Sequence, residues 1–164
     1  MPITIRENGA LKLHAVTLSG RVMFDDLRHL GMVHLLHPAW AGADTFHIVE
    51  DDADLDDLTE AKVDAMRAPY RQIQSTLDLY IVRRAAWVCY NARAYGFAEH
   101  WLKDRHSRDG QQSEVILIGS LDEADDLFSS EEIEAVRAMD GFVELARIDA
   151  RAAQPVVLSA NDKG

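Results

Sequence analysis

The chain has 164 residues, nearly half of them hydrophobic, enough to bury one core and too few for two comfortable ones. A formal net charge of -11 argues against nucleic acid or an anionic membrane as partner, because phosphate repels an acidic surface unless a basic stripe is set apart on it, and no such stripe is present. The plain use of the acidity is solubility.

Cys89 is the sole cysteine, so no intramolecular disulfide can form and a reducing, cytoplasmic compartment is expected. Met1-Pro2-Ile3-Thr4-Ile5 carries neither a charged leader nor an apolar run, and no stretch approaches the ~20 apolar residues of a membrane span. Neither export nor membrane insertion is expected.

In chain order, Ile3 to Arg6 and Leu11 to Leu18 are rich in β-formers and flank Asn8-Gly9, a dipeptide that tolerates the positive φ angles of a two-residue turn. The expectation is a β-hairpin. Met23, Leu27, Leu30 and His34 then repeat at helical spacing until Pro38. Phe46 to Val49 reads as a short strand, followed by an acidic loop and a helix from Thr59 to about Ser75, which Pro69 must kink or break. Ala85 to Tyr90 and Val115 to Ile118 show little alternation, as expected of strands covered on both faces in the parallel centre of a sheet. Between them Ala94, Ala98, Trp101 and Leu102 mark the buried face of a helix, with His100, Lys103 and Asp104 opposite.

Ser120-Leu121-Asp122-Glu123 and Ser129-Ser130-Glu131-Glu132 have the spacing of capping boxes, and Gly141 is placed to close the second helix. Phe142 to Ile148 suits either strand or helix. The sequence thus predicts a single α/β domain over residues 1–150, a mixed β-sheet with an N-terminal hairpin and crossover helices, followed by a mobile tail over 151–164.

The order of these elements and several local phrases resemble the STAS-like family, small bacterial relatives of the anti-sigma-factor antagonist domains. The phrases are Ser19-Gly20-Arg21-Val22 leading into Asp25-Asp26-Leu27, Arg83 to Val88, Arg93 to Ala98, and Ser120 to Ala124, spanning residues 1 to 128. The resemblance implies a βαβ-type fold with a binding role and no established reaction. Regulatory STAS domains carry a phosphorylatable serine at the start of the helix after the third strand, and here Glu50 to Asp54 holds no hydroxyl. The nearest, Thr59, sits among Asp56, Asp57 and Glu60, which would repel a phosphate, so it reads as a plain N-cap.

Glu50 to Glu60 contains seven carboxylates and no basic residue. Asp52, Asp54 and Asp56 occupy positions one, three and five of a calcium loop, but Asp57 replaces the glycine at six and Val63 the glutamate at twelve, so that pattern fails. His29, His34 and His37 match no zinc spacing. Ser120 lacks a nucleophile elbow, Cys89 sits in a buried strand, and the glycines form no phosphate loop; no metal or cofactor is expected.

In open sheets, ligands settle at the carboxyl ends of parallel strands, here Glu50 to Asp52, Asn91 to Tyr95 and Gly119 to Ser120. Asp52, Arg93, Tyr95 and Ser120 are therefore the candidate ligand-binding residues, with Arg93 inviting an anionic or carbonyl guest unless it pairs with Asp51 or Asp52. The reading is a non-catalytic binding or regulatory module, a homodimer by its exposed sheet edges, acting on a protein partner or a small anionic or apolar ligand. The alternatives are an enzyme with a carboxylate base and an arginine clamp in that crevice, and a lipid carrier, suggested by the kinship of STAS with CRAL-TRIO domains.

Overall fold

The computed structural model describes residues 2–37, 40, 43–66, 84–102, 114–152 and 156–157. Strands β1 (Ile3–Asn8) and β2 (Leu13–Leu18) form an antiparallel hairpin, and β3 (Asp44–Val49), β4 (Arg84–Cys89) and β5 (Glu114–Ile118) continue from β2 in parallel. On the other side β6 (Val143–Ile148) pairs antiparallel with β1, and the two-residue β7 (Val156–Val157) pairs with β6, giving the order β5-β4-β3-β2-β1-β6-β7. The sheet is mixed, and the fold is α/β as the sequence predicts.

The strand order dictates where the helices lie. From β2 to β5 each crossover steps one strand in the same direction, so connections of constant hand put every crossover helix on one face. These are α1 (Phe24–Leu36), α2 (described over 60–66) and α3 (Ala92–Leu102). Leu27, Val33, Val63, Met66, Ala98 and Trp101 from them share one core with Val16, Val49, Trp87 and Cys89. The alternate strand residues, Leu13, Phe46, Ile48, Ala86, Val88 and Ile118, face the opposite way. They pack under a 3-10 helix (Leu121–Asp126) and α4 (Ser130–Ala138), through Phe128, Ile133 and Val136. Burial of β3 and β4 on both faces explains why Ala85 to Cys89 reads as an unbroken apolar run.

Several local expectations are refined. The hairpin does not turn on Asn8-Gly9: Asn8 is the last residue of β1, its Oδ1 accepts from Leu11 N–H at 3.0 Å, and Lys12 takes the positive φ of 55°. Asn8 is drawn into this role because its Nδ2 also donates to Asp140 O at 3.0 Å, tying the hairpin end to the end of α4. There Met139 adopts the left-handed conformation first, and Gly141 follows at φ 73°, where a Cβ would lie 2.9 Å from Asn8 Nδ2.

Thr59 is the N-cap of α2, its Oγ1 accepting from Lys62 N–H at 3.4 Å. The Ser129 box is complete, with reciprocal bonds of 3.2 and 2.9 Å to Glu132. At Ser120 the carboxylate of Glu123 does most of the capping, accepting from the amides of Gly119 and Ser120, and the helix that follows is 3-10 rather than α.

Within the stretch from Phe142 to Ile148, Val143–Ile148 is strand, and Leu145 is an extra residue: Ala146 stands opposite Ile5 and Glu144 opposite Arg6. Val156 and Val157, within the expected tail, extend the sheet beyond residue 150. The Pro69 kink, the helix to Ser75, Lys103, Asp104 and the rest of the tail lie outside the described residues.

Candidate functional site

The acidic segment after β3 is a built loop. Its backbone is stitched to the β2–α1 connection by Asp54 N to Gly20 O (2.8 Å) and Val22 N to Asp54 O (2.9 Å), while Ala53, Leu55 and Leu58 plug into the core. That alternation turns Asp51, Asp52, Asp54 and Asp56 outward to solvent. Asp57 turns back, accepting from Phe24 N–H at 2.8 Å and from Lys62 Nζ at 2.7 Å. The Lys62 hydrogen bond, and then the Phe24 amide, hold its carboxyl below the usual range. The residues that break the calcium pattern are thus spent elsewhere: Asp57 caps α1, and Val63 is fully buried.

Asn91 joins this loop to the start of α3. Its Nδ2 donates to the carbonyls of Asp51 and Ala53, and its Oδ1 accepts from Arg93 N–H at 3.0 Å. Between loop and helix opens a cleft of about 510 Å³ at the carboxyl ends of β3 and β4. Leu55, Leu58, Val63, Ala94 and Phe97 contribute its apolar lining, and Asp51, Asp52, Asp54, Asp56 and Glu60 its carboxylates. Arg93 and His100 also line it. Arg93 Nη2 pairs with Asp56 Oδ2 at 2.9 Å, rather than with Asp51 or Asp52, and His100 Nε2 lies 2.8 Å from Asp64 Oδ1.

Of the four candidate residues, the structure brings Asp52 and Arg93 into this cleft and leaves Tyr95 and Ser120 out of its lining. Tyr95 is 39% exposed on α3, pointing away because Ala94 and Ala98 take the buried positions of that helix. Ser120 sits beyond β5, its hydroxyl donating to Glu123 at 3.3 Å. Asn91, Phe97 and His100 also line the cleft. Asn91 carried a usable signal, an Asx residue directly before a helix; Phe97 and His100 carried none apart from their helical spacing from Arg93.

The chemistry available is limited. Cys89 is buried, its Sγ donates to Asn91 O at 3.2 Å, and burial raises its thiol pKa, which disfavours the thiolate. Among the described residues, no serine, threonine or cysteine lines the cleft. Glu50, beside it, is pushed up by burial and then by Asp52, against the pull of Arg6. Among the described residues the summed charge of the lining is negative, five carboxylates against one guanidinium, which one of the five, Asp56, already pairs. Comparison with protein-family models, with curated proteins and with solved structures gives no match.

Proposed function

We propose that the protein is a non-catalytic binding module of STAS-like kind, and that its cleft receives a cationic side chain of a protein partner. The observation that carries this is the cleft itself: an apolar floor under a rim of five carboxylates, with Arg93 neutralised by Asp56. Such a rim repels the anionic guest that Arg93 alone would invite, while a lysine or arginine fits it, its aliphatic stem on Leu58 and Phe97 and its charge among the aspartates. The STAS-like kind is supported by an N-terminal hairpin leading into consecutive parallel strands. The homodimer is proposed through β5, which borders no second strand among the described residues and whose Val115, Ile116 and Leu117 are only half-buried.

The test is calorimetric titration with an Arg- and Leu-containing tetrapeptide and with its Glu counterpart, at low and moderate salt. Binding of the basic peptide that weakens with salt and is lost in Asp52→Asn/Asp54→Asn supports the reading. Binding of the acidic peptide, dependent on Arg93, sinks it.

A further inference from the structure

At the other end of the sheet from the cleft, on the three-helix face, Glu7 of β1, His14 of β2 and the last turn of α1 with His34, His37 and Trp40 come together. His14 Nε2 lies 3.7 Å from Glu7 Oε1, and the ring of His14, 4% exposed, meets Trp40 edge-on at 6.4 Å. The ring of His37 stacks on Trp40 at 4.2 Å with the planes 12° apart. His34 precedes His37 by one helical turn, and both are half-buried; charge on His14 or His37 would disfavour charge on His34. Facing the cluster from β3 is Thr45, opposite His14 in register, which does not titrate; the neighbouring Asp44 is bound to Arg84. His47, two residues further along the same face of β3, stacks on Trp87, so among the described residues the three imidazoles of the cluster share one carboxylate.

We propose that this cluster is an acid-sensitive latch: neutral imidazoles let the last turn of α1 and Trp40 close on β2, and proton uptake opens that turn while the central strands stay folded. Glu7 can compensate a first proton, but a second or third places like charges side by side around the buried ring of His14. Burial, then His14 and His37, hold His34 neutral down to about 4, and burial lowers His14 against the pull of Glu7. In an opened turn the same groups take protons at their ordinary value of 6.5, so each step of acidification below that favours the open form. The turn that opens carries Leu35 and Leu36, 46% and 74% exposed even when closed, so opening enlarges an apolar surface.

The experiment is hydrogen–deuterium exchange of the full chain at pH 7 and pH 5, corrected for intrinsic exchange. For His34 alone, linkage predicts a loss of protection over residues 29–37 of about 20-fold, with β3 and β4 unchanged. This pH ratio should fall in both variants, most in His34→Gln, and His14→Gln serves if the first variant folds poorly. Equal loss in α1 and in the strands, no loss above pH 5, or an undiminished ratio in the variants overturns the latch.

Discussion

Arg84 and Arg93 bracket the same strand, one at the amino end of β4 and the other just past its carboxyl end, and their surroundings differ in kind. Arg84 is enclosed: its guanidinium pairs with Asp44 at 2.9 Å and Glu132 at 2.8 Å, donates to Leu127 O, and lies 4.5 Å over the ring of Phe128. It ties β3, β4 and α4 together, and every polar group it touches is satisfied by it. Arg93 is 80% exposed and meets one carboxylate that is itself 71% exposed, in a rim where the other carboxylates outnumber it. One end of the strands uses charge to close the structure, and the other displays it. A charged residue that holds a fold together is recognised by how many elements it joins, whereas charge available to a partner is recognised by how little of it is consumed inside the molecule.

The largest effect that would break this comparison is at Arg84. Replacing it by Met removes the charge and keeps the stem, leaving half-buried Asp44 and Glu132 uncompensated. The cost expected in chemical denaturation is about 2 to 3 kcal/mol. A loss under about 0.5 kcal/mol would show that the amino end is no better built than the carboxyl end.

The two ends should also respond to pH with opposite signs. Burial alone would raise Glu132, but the Arg84 hydrogen bonds, aided by Ser129, outweigh it and set its pKa below the ordinary 4.5. Its contribution is thus present above 4.5 and lost as pH falls through its folded value. Glu50 is raised instead, so its charged form costs stability at neutral pH, and that cost disappears as pH falls from the raised value toward 4.5. In thermal melts at pH 7, Glu132→Gln should lower Tm and Glu50→Gln raise it, each by roughly 2 to 4 °C. Both differences should shrink below pH 4.5. Shifts of the same sign would remove the electrostatic contrast between the ends.

The smallest expected effect sharpens the comparison from the other side. Arg93→Ala should change stability by no more than about 0.5 kcal/mol, since an exposed pair contributes little. A larger loss would make the Arg93–Asp56 pair a structural clamp, and the cleft a by-product of packing.

The sequence by itself determined the elements whose causes are local. The apolar runs at Ala85 to Cys89 and Val115 to Ile118, the helical spacing of Ala94, Ala98 and Trp101, the cap at Thr59 and the box at Ser129 all act within a few residues, where pattern and propensity are decisive. Tertiary structure decided what depends on partners distant in the chain. Asn8 became a tether because Asp140 lies against it, and Val156–Val157 became a strand because β6 offered an unpaired edge. Asp26 is fully buried because its carboxylate accepts from Met23 N–H at 2.7 Å and from Ala150 N–H at 2.6 Å, the second partner 124 residues away. The site divides in the same way: the loop and strand ends were legible, but whether Arg93 or Ser120 faces a common cleft depends on how the connections pack. Charge in a sequence carries no partner until the fold brings one within a few ångströms.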